Sequence, residues 1–410
     1  MINKERLYNR IQELGQIGKN ETGGVTCVAL SREEKEAMNL VASYMRQAGL
    51  DVRMDAAGNL IGRKEGLNPQ APVVMTGSHI DTVYNGGMFD GRLGILGGIE
   101  VLQTMNEQGI VTLHPIEVYA YRDEEGTRFS TGYSSARCLM EIRRPDIFDH
   151  TDREGISIGQ ALRDIGIDPE RVYEAVLPPG YAKAHVELHI EQGKVLESRN
   201  LSVGIVTGIC CQSRGRFAIK GEAGHAGATP MNLRRDPLVA AAEIIQVVET
   251  EAAKTGTAVA TVGKINAHPG GVNIIPGQVE FSIDVRDQTS AIRDAVLDAI
   301  YLQAKEICNR RKVELEFKVF NKDSVPKLCD ADMKIVISGA CETLGIPVFE
   351  LPSGAGHDSG SFADFCQMGM IFIRSRDGIS HSPKEWSSIE DCSDGANVLY
   401  QTILKLAIPV

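Results

Sequence analysis

The sequence has no apolar run of the length that a membrane span requires. Its opening stretch, MINKERLYNRIQ, lacks the apolar core of a secretory signal and reads instead as an amphipathic helix. No CxxC pair occurs, and the 9 cysteines are odd in number and scattered, with Cys210-Cys211 the one close pair. That pattern excludes a disulfide framework and a cysteine-built zinc site, and fits reduced thiols in the cytoplasm. Positive charge is in deficit: 43 Lys and Arg stand against 54 Asp and Glu, a net charge of −11. Nucleic acid and anionic membrane are therefore not expected as partners. No internal repeat, low-complexity tract or long flexible linker is present. The Gly-rich GRLGILGG matches neither GxGxxG nor GxxxxGK[ST], so a phosphate loop is not expected either.

What remains is ordinary globular material, 43% hydrophobic and 24% charged over 410 residues, a length that suits two or three domains. Ser31 and Glu34 form a capping box, and Ala37, Leu40, Val41, Tyr44 and Met45 follow as one helical stripe ended by Gly49. Val52–Met54 and Leu60–Arg63 read as a hairpin, Val73–Met75 as a buried strand, 95–106 as a helix and Ile116–Tyr121 as a strand. Such alternation predicts an α/β domain with a largely parallel mixed sheet flanked by helices. From Arg216 the rhythm changes to β-α-β-β-α-β, ending near Phe320, the ferredoxin-like α+β pattern. The first rhythm then resumes. Residues 1–210 and 328–410 are thus expected to form one domain, with 211–327 inserted into it.

Five polar clusters follow apolar runs or sit on tight turns. They are His79/Asp81/Asp90 in SHIDTVYNGGMFDG, Asp123-Glu124-Glu125, His189 in VELHIEQG, His225 in GEAGHAGATP and His381 in GISHSPKEW. Imidazole and carboxylate together suit zinc, manganese, cobalt or nickel. In an extended HxD, one side chain can bind metal while the other orients it from behind. Asp90 is a candidate bridge between two ions, with His79 and His189 completing one and Glu125 and His381 the other. Glu124, held close without ligating, would be the general base and then the acid toward a leaving nitrogen. Each piece alone has a plainer reading: a polar turn after a strand, a solvated Glu-Glu turn, a core histidine at 189, a loop histidine at 381.

Taken with GGVNIIPG and SGAGHDS, these motifs resemble the dinuclear-metal amidohydrolases of the M20 peptidase superfamily, over about Gly23 to Leu406. Within it they are similar to the carbamoylase branch: N-carbamoyl-L-amino acid hydrolases, β-ureidopropionases and allantoate amidohydrolases. The resemblance implies two divalent ions, with His79, Asp90, Glu125, His189 and His381 as ligands. Glu124 matches the catalytic glutamate, and Asp81 the aspartate behind His79. It also implies a small ureido-acid substrate bound by Gln192, His225, Asn273 and Arg286, together with Gly356 and His357 of SGAGHD. The inserted domain would be a lid through which two subunits pair as a homodimer, with His225 reaching the partner's site. Gln212, in CCQSR, resembles the glutamine of allantoate amidohydrolases, whereas N-carbamoyl-amino-acid hydrolases are commonly apolar there. The expected reaction is hydrolysis of N-carbamoyl-L-amino acids to amino acid, carbon dioxide and ammonia. Allantoate is the competing substrate.

Overall fold

The computed structural model describes residues 1–129, 134–140, 145–321 and 324–408. Gly132 and Tyr133 of the GYSSAR segment lie outside that set. The chain forms two compact units: Met1–Thr207 together with the chain from Leu328 onward, and Gly208–Lys327. The sequence rhythm places the first change of unit three residues later, at 210/211.

In the first unit, helices α1 (Lys4–Leu14), α2 (Arg32–Gln47) and α3 (Arg92–Glu107) accompany six strands. These are β1 (Asp51–Met54), β2 (Leu60–Lys64), β3 (Val73–His79), β4 (Ile116–Tyr121), β5 (Ala182–Ile190) and β6 (Val203–Ile209). The second unit holds β7 (Cys211–Lys220), β8 (Gly224–His225), β9 (Val259–Thr261), β10 (Ile265–His268), β11 (Ile274–Ile275), β12 (Gln278–Asp287) and β13 (Glu314–Val319). The chain ends with β14 (Lys327–Leu328), β15 (Glu350–Ser353), β16 (Gln367–Ile373) and a helix at Ile389–Ala407.

The first sheet runs β1-β2-β4-β3-β5-β16-β6-β14, with β15 beside β6. Its centre, β4-β3-β5-β16, is parallel, while the β1-β2, β2-β4 and β16-β6 pairs are antiparallel. Alternation along the strands supplies both faces. Val74, Ile116, Val118 and Ala120 join a core with α1, α3 and the last helix. Met75, Tyr119 and Tyr121 join a second core with Phe129 and Phe362 on the other face. A Cβ on Gly94 would lie 2.5 Å from the Leu188 carbonyl oxygen, and one on Gly98 2.7 Å from Val118 Cγ2. The glycines of GRLGILGG therefore seat α3 tightly on the sheet, a packing role in place of a phosphate loop.

The second unit carries an antiparallel sheet in the order β10-β12-β7-β13, with β9 also paired to β12. This is the ferredoxin-like arrangement that β-α-β-β-α-β order predicts. Its helices, Pro237–Thr255 and Ser290–Arg311, cover one face through Ile244, Val248, Ile300 and Ala304 against Phe217 and Phe281. Two details differ from the sequence pattern. The single strand expected over 258–265 is broken at Gly263, where register against β12 slips by one residue, from Val259↔Arg286 to Ile265↔Phe281; that is a bulge. β7 starts at Cys211, ahead of the expected Arg216, because its first half alternates buried and polar residues and has no apolar run to announce it.

Replacing Gly94 with Val pushes a side chain into a main-chain oxygen that has no rotamer to escape through. The variant is expected to lose about 1–3 kcal/mol of stability, read as a lower denaturant midpoint at unchanged slope.

Candidate metal centre

β3 and β5 are parallel neighbours, so their carboxyl ends bring His79 and His189 to the same rim of the sheet. Asp90 reaches that rim on the loop before α3. The next residue, Gly91, has φ 66°, and a Cβ there would stand 2.5 Å from the His79 ring. Only glycine lets the loop cross the imidazole so closely. Arg92, wholly buried, ties the crossing down by donating Nε to the Ile80 carbonyl at 3.1 Å and Nη1 to the Leu14 carbonyl at 3.1 Å.

Both histidines are oriented from behind. His79 Nδ1 lies 3.0 Å from the Asp81 carbonyl oxygen, and His189 Nδ1 2.9 Å from that of Ile190. Their Nε2 atoms then face one oxygen of Asp90, Oδ1, at 3.6 and 3.1 Å. The other oxygen, Oδ2, lies 3.1 Å from His381 Nε2, which is itself 3.3 Å from Glu125 Oε1. The result is two donor groups, His79/Asp90/His189 and Asp90/Glu125/His381, sharing one carboxylate. Donors about 2.0–2.2 Å from a common tetrahedral ion stand roughly 3.3–3.6 Å apart, so these separations suit ligation and the donor set fits a divalent metal. Asp123, Gln192 and His381 take φ of 58°, 58° and 55°, left-handed values that non-glycine residues adopt rarely.

Charge follows the geometry. Burial works to raise the Asp90 carboxyl, but His189, His381 and His79 outweigh it and hold Asp90 well below the usual carboxylate range. Asp90 and Glu125 in turn lift the half-buried His381 to about 10. Glu124 stands among other acids. Burial pushes its carboxyl up, His79 opposes, and Glu125, Asp81 and Asp90 add to the rise, to about 8. A carboxyl poised there can both hold and release a proton near neutral pH.

The acidic turn follows β4 and is clamped from two sides. Asp81 Oδ1 accepts the backbone N–H of Glu124 at 3.2 Å, and its Oδ2 accepts that of Glu125 at 3.3 Å. This differs from the expectation for HxD. The Asp81 carboxylate lies 3.8 Å from His79 Nδ1, and the Asp81 carbonyl does the orienting instead. On the other side, buried Arg122 donates to the Gly58 carbonyl at 2.7 Å and pairs with Glu34 of α2. Half of the expected capping box is therefore absent. Ser31 caps Glu34, but Glu34 turns its carboxylate to Arg122 and to the Leu30 N–H.

Gln192 donates Nε2 to Asp90 Oδ2 at 2.9 Å, while its Oε1 is buried without a hydrogen-bond partner among the described residues. A Cβ on Gly356 would be 3.6 Å from Glu124 Oε1. His357 is buried edge-on against His189, with ring centroids 4.5 Å apart, and its Nε2 meets Ser353 Oγ at 2.7 Å. Burial, with His189 beside it, drops its pKa to about 3. In the second unit, β7 and β12 set Gln212 directly opposite Arg286 on the sheet face away from the helices. Arg286 is engaged there by Asp284, through Nε at 2.8 Å and Nη2 at 2.9 Å. His225 and Asn273 lie together on the β8–β11 ribbon, exposed, where Ala226 N–H donates to the Asn273 carbonyl at 3.0 Å. His225 Nδ1 accepts the N–H groups of Gly227 and Ala228 at 3.1 and 3.2 Å, so in the neutral ring Nε2 carries the proton.

Sequence reasoning passed over Glu385 and Glu187. Glu187 is fully buried beneath His189 and accepts Ser78 Oγ at 2.6 Å and Ser359 N–H at 3.0 Å. Each acid sits inside a motif, VELHIEQG or SHSPKEW, but nothing beside it marks it as buried: Glu385 follows Pro383 and Lys384, both exposed.

A sequence profile of the peptidase family M20/M25/M40 matches residues 75–405. The chain belongs to that family. An N-carbamoyl-L-amino acid amidohydrolase of Geobacillus stearothermophilus is 54% identical over 407 residues, 99% of each chain. Allantoate deiminase 2 of Glycine max is 34% identical, over 94% of this chain and 86% of its own. Among solved structures, a hydantoinase/carbamoylase-family amidase from Burkholderia multivorans superposes with a TM-score of 0.94 at 33% identity, covering 100% of this chain and 98% of its own. These M20 relatives are amidohydrolases acting on C–N bonds, and no described helix here is long and apolar enough to cross a membrane.

Asp81→Asn puts an amide N–H against a backbone N–H of the acidic turn. Metal affinity is expected to fall roughly 10–100-fold, read by competition with a coloured chelator. Affinity equal to that of the unsubstituted protein would show that the clamp does not shape the site.

Proposed function

We propose that this chain is a metal-dependent amidohydrolase that cleaves the carbamoyl C–N bond of N-carbamoyl-L-amino acids, giving the amino acid, carbon dioxide and ammonia. The observation that carries the reading is Asp90, one oxygen toward His79 and His189 and the other toward His381, with Glu124 among the neighbouring acids. His79, Asp90 and His189 would hold one divalent ion, zinc, manganese, cobalt or nickel, and Asp90, Glu125 and His381 a second. Ions bound there would polarise the carbamoyl carbonyl and acidify water. Glu124 takes the proton from the attacking water and returns it to the departing nitrogen. Gln192 Oε1, a buried acceptor without a partner among the described residues, suits a ureido N–H. Arg286 and Asn273 take the substrate carboxylate, the arginine turning from Asp284 to do so. His225 offers Nε2–H to the carbonyl oxygen as negative charge develops, serving the partner subunit's site in a cytoplasmic homodimer formed through the second unit.

Three measurements test this. The first compares N-carbamoyl-L-amino acids with allantoate. The carbamoyl amino acids are expected to be the better substrates, with activity lost to a chelator and restored by a divalent ion. Preference for allantoate would move the assignment to the second reading, which the polar Gln212 opposite Arg286 favours. The second is Glu124→Gln, expected to keep its metal and to lose about 10²–10⁴-fold in kcat. The third mixes Glu124→Gln with His225→Ala subunits. A site shared across a two-fold should bring roughly a quarter of all sites back to full chemistry, whereas activity no higher than the parental average places His225 in its own subunit's site.

A further inference from the structure

We infer that Glu385 is a positioning residue: it fixes the shared carboxylate of Asp90 and couples it to the loop that carries His381. This rests on the metal-dependent reading above. Glu385 Oε1 accepts two consecutive backbone N–H groups, from Phe89 at 2.9 Å and Asp90 at 3.1 Å. Its Oε2 accepts Ser380 Oγ at 2.8 Å, and the same hydroxyl stands 3.2 Å from Asp90 Oδ2. Gln192 Nε2 reaches both Ser380 Oγ, at 3.3 Å, and Asp90 Oδ2, at 2.9 Å. One buried side chain thus grips the Asp90 backbone and, through Ser380 and the Gln192 amide that donates to both, reaches the far oxygen of the Asp90 carboxylate. It does so across 295 residues of sequence.

The chain makes room for it. A Cβ on Gly87 would fall 2.0 Å from Glu385 Oε1 and 2.5 Å from its Cβ, so the Gly86-Gly87 turn leaves the slot that Glu385 fills. The grip matters because Asp90 serves two groups of ligands at once. A small rotation of its carboxylate would bring one oxygen closer to its partners while taking the other away, and fixing the Asp90 N–H sets the direction in which its side chain leaves the backbone. Two adjacent N–H donors need an acceptor oxygen more than they need its charge. The residue is therefore expected to work as glutamine but not as alanine.

The experiment begins with the unsubstituted protein. Failure there to bind zinc or cobalt, or to hydrolyse a carbamoyl amino acid, counts against the proposed function and not against Glu385. Given both, metal affinity is measured by chelator competition without substrate, and kcat and KM are measured separately. Glu385→Ala is expected to bind metal roughly 10–100-fold more weakly, with kcat reduced and KM little changed. Glu385→Gln should stay within about threefold of the unsubstituted protein, since the acceptor to both N–H groups survives. Gly87→Ala should resemble Glu385→Ala, and the double variant should be no worse than the poorer single, because both break one contact. If Glu385→Ala does not fold, Ser380→Ala carries the test, with weaker metal binding expected. Unchanged affinity in the alanine variant that folds, or a loss in Glu385→Gln as large as in Glu385→Ala, overturns the inference.

Discussion

One carboxylate stands between two groups of donor side chains, and much of the first unit bears on how it is held. Asp90 keeps its charge in a buried place because three imidazoles surround it. That balance survives only while each oxygen faces its own histidines. The parallel strands β3 and β5 fix two of those imidazoles, and α3, seated by its glycines, fixes the loop that brings Asp90 to them. The chain after β16 supplies the third imidazole and Glu385 together. Positive backbone dihedrals at Asp123, Gln192 and His381 mark where the main chain bends to meet the site.

The acids around this centre are sorted by what surrounds them. Asp90 is pulled down by histidines, whereas Glu124 is pushed up by burial and by neighbouring carboxylates. Two groups of one chemical type thereby acquire opposite characters within one site, one held as an anion and the other lifted to about 8. Asp81 maintains the sorting. By accepting two consecutive N–H groups, it sets the backbone from which Glu124 and Glu125 diverge.

Much of this was legible in the sequence. Strands with clean apolar runs, such as Ile116–Tyr121, have the bounds the pattern predicts, and the change of rhythm toward the middle of the chain matches a second sheet of ferredoxin-like order. His79, Asp90, His189, Glu125 and His381 converge, and Asp90 stands between the two sets. What stayed hidden was of two kinds. The amino half of β7 alternates buried and polar residues without an apolar run, so the strand was expected to begin only at Arg216. The long-range roles of Glu34, Glu187 and Glu385 are set by partners far along the chain, and a lone acid gives no local sign of whether it is solvated or buried. Asp81 shows the same limit in reverse. Its spacing from His79 was visible, but the choice between its carbonyl and its carboxylate was decided by the turn it meets.

The most direct test of a shared carboxylate is anomalous diffraction from crystals of the metal-loaded protein, with data on both sides of the metal absorption edge. Two anomalous peaks are expected, one bounded by His79 and His189 and the other by Glu125 and His381, each taking a different oxygen of Asp90. A single peak, or two peaks of which one lies away from Asp90, would contradict the account.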